Sequence, residues 1–449
     1  MKLNILYIHT HDSGRYFSAY GCPLPTPNLQ AFADESCTFT NCYCASPTCS
    51  PSRASLLTGQ FPHTNGMLGL ANRGFTLTDY SRHLVGYLNR GGYETALCGI
   101  QHEYGAYSDH VGGARAIGYS CDLTADGKGR PESQLLDWDT ENAHNAAAWL
   151  RAPHEKPFFL SMGFFATHRE YPEGAQKQDF LPTFLEDAPA VRADFDGHVE
   201  SLRRFDRNFG LVLDALKESG QYDNTLVLFT TDHGIPFPGA KCTLTDQGTG
   251  VALILRQPGA KANGKCCASL VSQVDIMPTI CQLIGLEAQG LQGVSLVPLL
   301  ENPTAAVQDC VFSEVNFHTS YEPMRSLRTR QWKYIRYYDR EYRRYNLSNI
   351  DNSPTKSYYM EAGMLAGEKP QECLYDLNAD PLEKNNLAGQ KQYRDALESC
   401  RARLLEWQQK TGDYLVEGGL VRRKEWKINT PQCINPKSRA PEDFLPQIN

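Results

Sequence analysis

Residues 49–59 read Cys-Ser-Pro-Ser-Arg-Ala-Ser-Leu-Leu-Thr-Gly, and the interpretation of the whole chain starts from this stretch. Ser50 is a residue type that caps helices, Pro51 suits a first helical position, and Gly59 suits a helix end. The stretch therefore predicts a short helix with Cys49 just before its N-terminus. Free backbone N–H groups and the helix dipole favour a bound anion there. The local pattern alone also fits a buried cysteine beside a capped helix.

The same stretch resembles, at every fixed position, the signature C-x-P-S-R-x-x-x-L-T-G of the formylglycine-dependent sulfatases of the alkaline phosphatase superfamily. Cys49 is the only one of 15 cysteines with a proline two residues later. In that family a separate formylglycine-generating enzyme reads C-x-P-x-R and oxidises the cysteine. The resemblance implies that Cys49 becomes formylglycine and that the chain hydrolyses a sulfate ester or a sulfamate, on a small sulfated substrate that we expect to be a carbohydrate or glycosaminoglycan fragment.

The resemblance extends along nearly the whole chain. Residues 27–29 (Pro-Asn-Leu), 275–279 (Asp-Ile-Met-Pro-Thr) and 374–381 (Leu-Tyr-Asp-Leu-Asn-Ala-Asp-Pro) are similar to family segments in the family's order. Within the family, residues 231–238 and 321–326 resemble the heparan N-sulfatase subgroup most. These shorter matches indicate a subgroup and leave the substrate open.

Short apolar runs alternate with helical patterns along the first two thirds of the chain. The runs occupy residues 3–10, 95–98, 158–162, 225–230 and 251–255. A helix is predicted from apolar residues three or four apart, namely Leu202, Phe205, Phe209, Val212 and Leu216, with Gly220 after them. This alternation predicts an α/β fold with a large, mostly parallel sheet flanked by helices, which is the alkaline-phosphatase-like fold that the resemblance implies.

The pattern changes after Pro298. Residues 311–315 and 332–337 are typical of strands, and residues 393–411 are typical of a helix. We therefore predict a catalytic α/β domain at residues 1–304. A smaller C-terminal α+β domain is predicted at 305–449, with antiparallel strands, a helix and a wrapping tail.

Histidine and aspartate follow four of the apolar runs. These residues are His11 and Asp12, His102, His168, and Asp232 and His233. Ligands of open α/β sheets bind beyond the carboxyl ends of the strands, so these side chains predict a functional site at that edge.

The resemblance implies one divalent cation, usually calcium, held by an Asp-Asp pair, an Asp-Asn pair and residue 49. The corresponding pairs here are His11-Asp12 and Asp232-His233. Two interpretations stay open. The imidazoles could bind a metal such as zinc or manganese directly, or they could stand behind oxygen ligands that hold calcium.

Further roles follow from the family pattern. Sulfatases carry a G-K-x-H segment, and this chain has Gly-Ile-Gln-His at 99–102, which keeps His102 but replaces the sulfate-binding lysine with Ile100. His168 and Lys241 match sulfate-contacting positions, and Arg53 would help the metal to stabilise an alkoxide on residue 49. The catalytic set that the resemblance implies is Cys49, Arg53, His102, His168 and Lys241.

Four other residues are candidates for substrate binding. Arg169 follows His168 and could reach a sulfate or carboxylate with two hydrogen bonds. Glu103 lies beside His102 and could orient it or meet substrate. His318 and Arg325, in the predicted smaller domain, could line the pocket or serve the structure.

Bulk properties limit the function classes. The chain has 449 residues and a net charge of −7, which argues against nucleic-acid or anionic-membrane binding. The first apolar run is too short for a secretion signal or a membrane span, so we predict a cytoplasmic protein with mostly reduced thiols. A zinc cluster of Cys37, Cys42, Cys44 and Cys49 is disfavoured because C-x-x-C pairs are missing.

The alternatives are a phosphomonoesterase or phosphonate monoester hydrolase of the same superfold, and a non-catalytic protein that binds an anionic sugar. By resemblance, the chain could form a homodimer.

Overall fold

The computed structural model describes residues 2–105, 110–417 and 419–446. Its strands are β1 (Asn4–Thr10), β2 (Cys37–Phe39), β3 (Cys42–Tyr43), β4 (Glu94–Gly99), β5 (Cys121–Asp122), β6 (Phe158–Gly163), β7 (Thr225–Thr231), β8 (Gly250–Val251), β9 (Leu253–Arg256), β10 (Lys265–Cys267), β11 (Val271–Ser272), β12 (Cys310–Phe317), β13 (Tyr321–Thr329), β14 (Trp332–Tyr337) and β15 (Glu372–Asp376). Its α-helices are α1 (Pro27–Asp34), α2 (Cys49–Thr58), α3 (Pro62–Asn65), α4 (Leu84–Arg90), α5 (His110–Ile117), α6 (Leu135–Arg151), α7 (Pro189–Glu218), α8 (Asp246–Thr249), α9 (Ile276–Ile284), α10 (Val297–Glu301), α11 (Pro354–Glu361), α12 (Arg394–Thr411) and α13 (Tyr414–Glu417).

The main sheet has eight strands in the order β10-β2-β9-β7-β1-β6-β4-β5. β1 runs parallel to both of its neighbours, β6 and β7, and β4 runs parallel to β6 and β5. β9 runs antiparallel to β2 and β7. The predicted large, mostly parallel sheet flanked by helices is therefore confirmed, although the run at 251–255 divides into β8 and β9.

Both faces of this sheet are buried. Side chains alternate between the two faces along each strand, and helices pack on each face. Leu6 and Ile8 of β1 pack into a core with α6 and the long helix α7. Ile5 and Tyr7 point to the opposite face, into a core that includes residues of α2, α4 and α9. Each fully buried side chain of this kind contributes about 1.5–3 kcal/mol.

A second, smaller sheet lies in the C-terminal third of the chain. It is antiparallel, with the strand order β12-β13-β14-β15. Leu397 and Leu404 of α12 pack onto it in a core that also contains Ala45 and Phe61. The separate antiparallel sheet is as predicted. The domain boundary between residues 304 and 305 stays a prediction, because residues from both sides of it share this core.

Within the described ranges no helix has the length and apolarity that crossing a membrane requires, and the cytoplasmic location stays a prediction. The wrapping tail predicted at residues 429–449 stays a prediction, and residues 447–449 fall outside the described ranges.

Helix α2 begins two residues earlier than the capping pattern predicts. Thr48, in an extended conformation, is the N-cap residue, and Cys49 is the first helical residue. The Ser50 hydroxyl oxygen instead accepts a hydrogen bond from the Ala71 N–H at 3.0 Å. Gly59 ends the helix in the left-handed conformation as expected (φ 64°), and its N–H donates to Ser55 O at 2.9 Å.

His83 makes a testable contribution to acid stability. Its Nδ1 accepts the Val85 N–H at the start of α4, and burial lowers the pKa of His83 from 6.5 to about 3. Between these pH values the unfolded chain holds a proton that the folded chain lacks, so stability falls as the pH falls. The neutral variant His83→Asn keeps a capping oxygen and should lose about 2 kcal/mol less than the wild type between pH 6.5 and pH 4.5. Urea unfolding at the two pH values measures this, and equal losses would contradict it.

Candidate active site

The sheet order brings the predicted strand-end residues to one edge. β7, β1, β6 and β4 are neighbours and run parallel, so their carboxyl ends meet at that edge. Thr10 of β1 pairs with Thr231 of β7. The two dipeptides that follow, 11–12 and 232–233, therefore lie side by side.

Asp232 is the centre of this group. Its Oδ1 accepts the backbone N–H groups of Asp12 and His233, each at 2.9 Å. Its Oδ2 lies 3.1 Å from Arg53 Nη2 and 3.0 Å from His11 Nδ1. Burial alone would raise the pKa of Asp232, but His233, Arg53 and His11 hold it well below its ordinary value. Asp232 therefore remains a carboxylate in the interior.

Arg53 is held behind the site by α2 and by β1. It is almost fully buried, and its Nη1 contacts Nδ1 of His9. Gly163, at the end of β6, leaves space for His9, because a Cβ there would stand 2.5 Å from Cε1 of that ring and 2.1 Å from Ile100 O. The close packing of two strand ends thus fixes the arginine beside Asp232.

The donor atoms fit a divalent cation. His233 Nδ1 is placed to donate to Gly234 O at 3.0 Å, which leaves the lone pair of Nε2 facing Asp12 Oδ1 at 3.2 Å. Two acceptors at this distance need a proton or a cation between them. Asp12 Oδ1 is buried with no hydrogen-bond partner in the described part of the chain.

Cys49 belongs to the same group of donors. One donor atom from each of His11, Asp12, Cys49 and Asp232 lies within 4.8 Å of the others. Cys49 Sγ is also 3.3 Å from His233 Nε2. Of the described residues, the potential metal ligands thus include Cys49 but none of Cys37, Cys42 and Cys44. The carboxylate oxygens suit calcium, whereas the imidazole nitrogen and the thiol sulfur suit a transition metal.

Lys241 places a fixed positive charge beside this group. Its Nζ lies 3.1 Å from Asp12 Oδ2 and 2.9 Å from Asp351 Oδ2. Burial alone would lower the pKa of Lys241, but the two carboxylates hold it well above its ordinary value. The ammonium group is therefore charged and available to an anion.

His102 and His168 stand on the other side of His11. Their ring centroids lie 6.2 Å and 5.4 Å from that of His11. Burial, followed by the charge of Arg53, lowers the pKa of His102 to about 3, so its imidazole is neutral at neutral pH. His168 Nδ1 donates to Arg169 O at 2.6 Å, which leaves its Nε2 as an acceptor in the neutral ring.

These side chains open into a cleft of about 910 Å³. Its inner residues include Cys49, His102, His168, Lys241, His318 and Asp351, and its outer wall includes Arg73, Trp426, Lys427, Lys437 and Arg439. A cysteine at a helix N-terminus, beside a metal-binding group and a buried lysine, can deliver a nucleophile to a tetrahedral anion.

The comparisons with known proteins agree with this geometry. Residues 4–286, more than half of the chain, match the family model described as Sulfatase. The chain belongs to the sulfatase family. Residues 240–368 also match the model described as N-sulphoglucosamine sulphohydrolase, C-terminal. The predicted family and the predicted enzyme class, a sulfuric ester hydrolase, are confirmed.

Curated relatives cover this sulfatase almost completely. The N-sulphoglucosamine sulphohydrolase of Homo sapiens is 29% identical, over 96% of this chain and 94% of that protein. An ulvan-active sulfatase of Formosa agariphila is 27% identical, over 93% of this chain and 82% of that protein.

Solved structures share the fold. A protein in complex with its substrate D-glucosamine-2-N,6-O-disulfate is 20% identical, with a TM-score of 0.71 over 92% of this chain and 99% of that one. The phosphonate monoester hydrolase of Agrobacterium radiobacter is also 20% identical, with a TM-score of 0.69 over 94% of this chain and 100% of that one.

Three predicted substrate-binding residues of this sulfatase have protein partners. Arg169 lines the cleft, but its guanidinium group makes two hydrogen bonds to Asp194 and also donates to Pro236 O. Glu103 is buried, and its Oε2 accepts the His102 N–H at 3.1 Å. Arg325, on β13 of the small sheet, is fully buried and is not among the residues that line the cleft. His318 is the fourth candidate and does line the cleft.

The position of the missing family lysine is apolar in structure as well as in sequence. Ile100 is fully buried against Leu135, Trp138 and Phe165. The side chain at this position therefore cannot contact an anion in the cleft.

The sequence marks neither Asp351 nor the cleft wall from the C-terminal segment 419–446 as functional. Asp351 lies in a polar stretch without periodicity, so no pattern marks it. The segment is anchored by the Asn429 N–H on Thr319 O at 2.8 Å and by Arg73 Nη2 on Pro436 O at 2.8 Å. Its Pro and polar composition predicts a wrapping tail but not where the tail lies.

Replacing Arg325 tests whether this residue contributes to the stability of the fold or to substrate binding. Its Nε and Nη2 donate to the Asp413 carboxylate at 2.7 Å and 2.9 Å, and Glu314 lies 3.7 Å away. Arg325→Met leaves two buried carboxylates without their cation, so the free energy of unfolding should fall by about 3–5 kcal/mol while KM stays unchanged. As a control, Arg151→Met removes an exposed pair with Glu218 and should cost about 1 kcal/mol or less. Unchanged stability with a raised KM would restore the substrate-binding role.

Proposed function

We propose that this sulfatase hydrolyses a sulfate ester or a sulfamate on a glucosamine-type sugar, with residue 49 as the nucleophile after its conversion to formylglycine. The observation that carries the proposal is the place of Cys49, at the N-terminus of α2 and 3.3 Å from His233, in a cleft that the buried Lys241 also lines. The names of the human relative and of the glucosamine disulfate complex support the sugar.

The metal would be held by Asp12 and Asp232, with His11 and His233 as nitrogen donors. A bound divalent cation supplies Lewis-acid polarisation, and the hydrated aldehyde of formylglycine supplies a hydroxyl nucleophile. The donor set leaves calcium, manganese and zinc as candidates. Arg53 holds Asp232 in place from behind the site.

Side chains of the protein would stabilise the charge that develops in the reaction and would transfer the protons. Lys241 Nζ would stabilise the negative charge that develops on the sulfuryl oxygens, and His168 would do the same when its Nε2 carries a proton that it can donate to them. Lys241 can also protonate the leaving oxygen or nitrogen. His102, neutral because of its burial, can accept a proton from the second hydroxyl of residue 49 when sulfate departs. Modification requires a formylglycine-generating enzyme as a partner during maturation.

Parallel assays test the proposal. We expect the protein, purified from its own host, to release sulfate from N-sulfated or 6-O-sulfated glucosamine. The kcat/KM for that sugar should exceed those for 4-nitrophenyl phosphate and for a phosphonate monoester by at least about tenfold. The reverse order would favour a phosphate or phosphonate hydrolase, the alternative that the buried Ile100 and the two imidazoles keep open.

The mass of the tryptic peptide that ends at Arg53 tests the nucleophile separately. An aldehyde in place of the Cys49 thiol is expected. An unmodified Cys49 in protein that releases sulfate from the sugar would contradict the formylglycine mechanism.

A further inference from the structure

Asp351 enters the active-site cleft from the C-terminal part of the chain. It lies between β14 and α11, in a loop that three contacts hold rigidly. Asn349 Oδ1 accepts the Thr319 and Ser320 N–H groups at 3.0 Å and 2.9 Å, and Lys356 Nζ donates to Ile350 O at 2.9 Å. The carboxylate therefore has a fixed position.

The two oxygens of Asp351 have different surroundings. Oδ2 accepts a hydrogen bond from Lys241 Nζ at 2.9 Å. Among the described residues, Lys241 is the one hydrogen-bond donor to this carboxylate, and the side chain keeps 15% of its surface exposed where it lines the cleft. Oδ1 is therefore left as an acceptor for a group that binds in the cleft.

A carboxylate at this place needs an explanation, because the cleft has to accept an anion. A sulfuryl group in contact with Lys241 would lie within about 6 Å of Asp351, where two like charges repel by several kcal/mol at the dielectric of a partly buried site. A hydrogen-bond donor on the substrate would offset this repulsion, since hydrogen bonds to charged groups contribute about 1.5–3 kcal/mol.

We propose that Asp351 is a specificity-determining residue whose Oδ1 accepts a hydrogen bond from a sugar hydroxyl next to the scissile sulfate. The same oxygen excludes sugars that carry a second anionic group at that hydroxyl, because two unpaired negative charges would then meet. This inference rests on the proposed sulfatase function and defines its substrate class as sugars with a free hydroxyl beside the sulfate.

Asp351 could in principle act only through Lys241, as a positioning residue. The two roles predict that the loss of turnover in an Asp351 variant depends differently on the substrate. A positioning role weakens the turnover of every sulfated substrate by one factor. In a specificity role, the loss of turnover depends only on whether the substrate carries the free hydroxyl next to the sulfate.

A cycle of two changes, one in the protein and one in the sugar, separates these roles. The substrates are the monosulfated glucosamine that the wild type hydrolyses and its methyl ether at the hydroxyl next to the sulfate. The proteins are the wild type and Asp351→Asn, which keeps the shape of the side chain and is checked for folding by thermal unfolding. The readout is kcat/KM for all four combinations.

We expect methylation to lower kcat/KM about 10–100-fold in the wild type and less than about threefold in Asp351→Asn. Equal losses on methylation in both proteins would overturn the inference and leave the sulfatase function intact. If the wild type releases sulfate from neither N-sulfated nor 6-O-sulfated glucosamine, the proposed function fails and the inference fails with it.

Discussion

Replacing Cys49 with alanine or serine should lower sulfate release by at least about a thousandfold, because alanine cannot become formylglycine and serine lacks the thiol that the maturation enzyme oxidises. Serine could accept the sulfuryl group once, but it has no second hydroxyl from which His102 could take a proton to expel sulfate. The measurement is the initial rate with N-sulfated or 6-O-sulfated glucosamine at an enzyme concentration far below that of substrate.

A buried cysteine of the same segment provides the control. Cys44 is fully buried five residues earlier and lies outside the group of potential metal ligands. Cys44→Ala should keep most of the wild-type kcat/KM, with at most a modest loss of stability from the smaller side chain. Multiple turnover by Cys49→Ser would refute a formylglycine nucleophile.

The second large effect is expected from Asp12→Asn. This variant removes one negative charge and one oxygen donor from the metal-binding group while it keeps the side-chain volume. The bound divalent metal should fall from about one ion per chain to less than about a tenth, and kcat/KM should fall at least about 100-fold. Elemental analysis of the dialysed protein and the sulfate-release assay measure the two effects.

Asp351→Asn is the matched control for the metal. Asp12 and Asp351 both contact Lys241, at 3.1 Å and 2.9 Å, but Asp351 is not among the grouped donor atoms. The metal content of Asp351→Asn should therefore equal that of the wild type. If both variants lose metal alike, the charge balance around Lys241 and not ligation by Asp12 would control metal binding.

The sequence predicts the centre of this site well, for a topological reason. His11, Asp12, Asp232 and His233 each follow an apolar run, and parallel strands necessarily bring their carboxyl ends to one edge of a sheet. The strand order alone is enough to predict that these four residues lie close together along that edge. The signature around Cys49 adds the helix N-terminus that faces the same edge.

The residues that the sequence does not place depend on tertiary contacts. Arg325 was a candidate for the pocket, yet its guanidinium group is held by Asp413, 88 residues further along the chain. Asp351 reaches Lys241 from 110 residues away through a loop without periodicity. Capping is similarly ambiguous, because Thr48 and Ser50 are both capping residue types and only the packing of Ser50 on Ala71 decides between them.

The cleft wall formed by the C-terminal segment has a consequence for the timing of activity during synthesis. A nascent chain stalled before Trp426 already contains Cys49, Lys241 and Asp351, but it lacks the side chains of residues 426–445 that close one side of the cleft. The cleft therefore gains its complete lining only after these last residues have been synthesised and have packed against the rest of the chain.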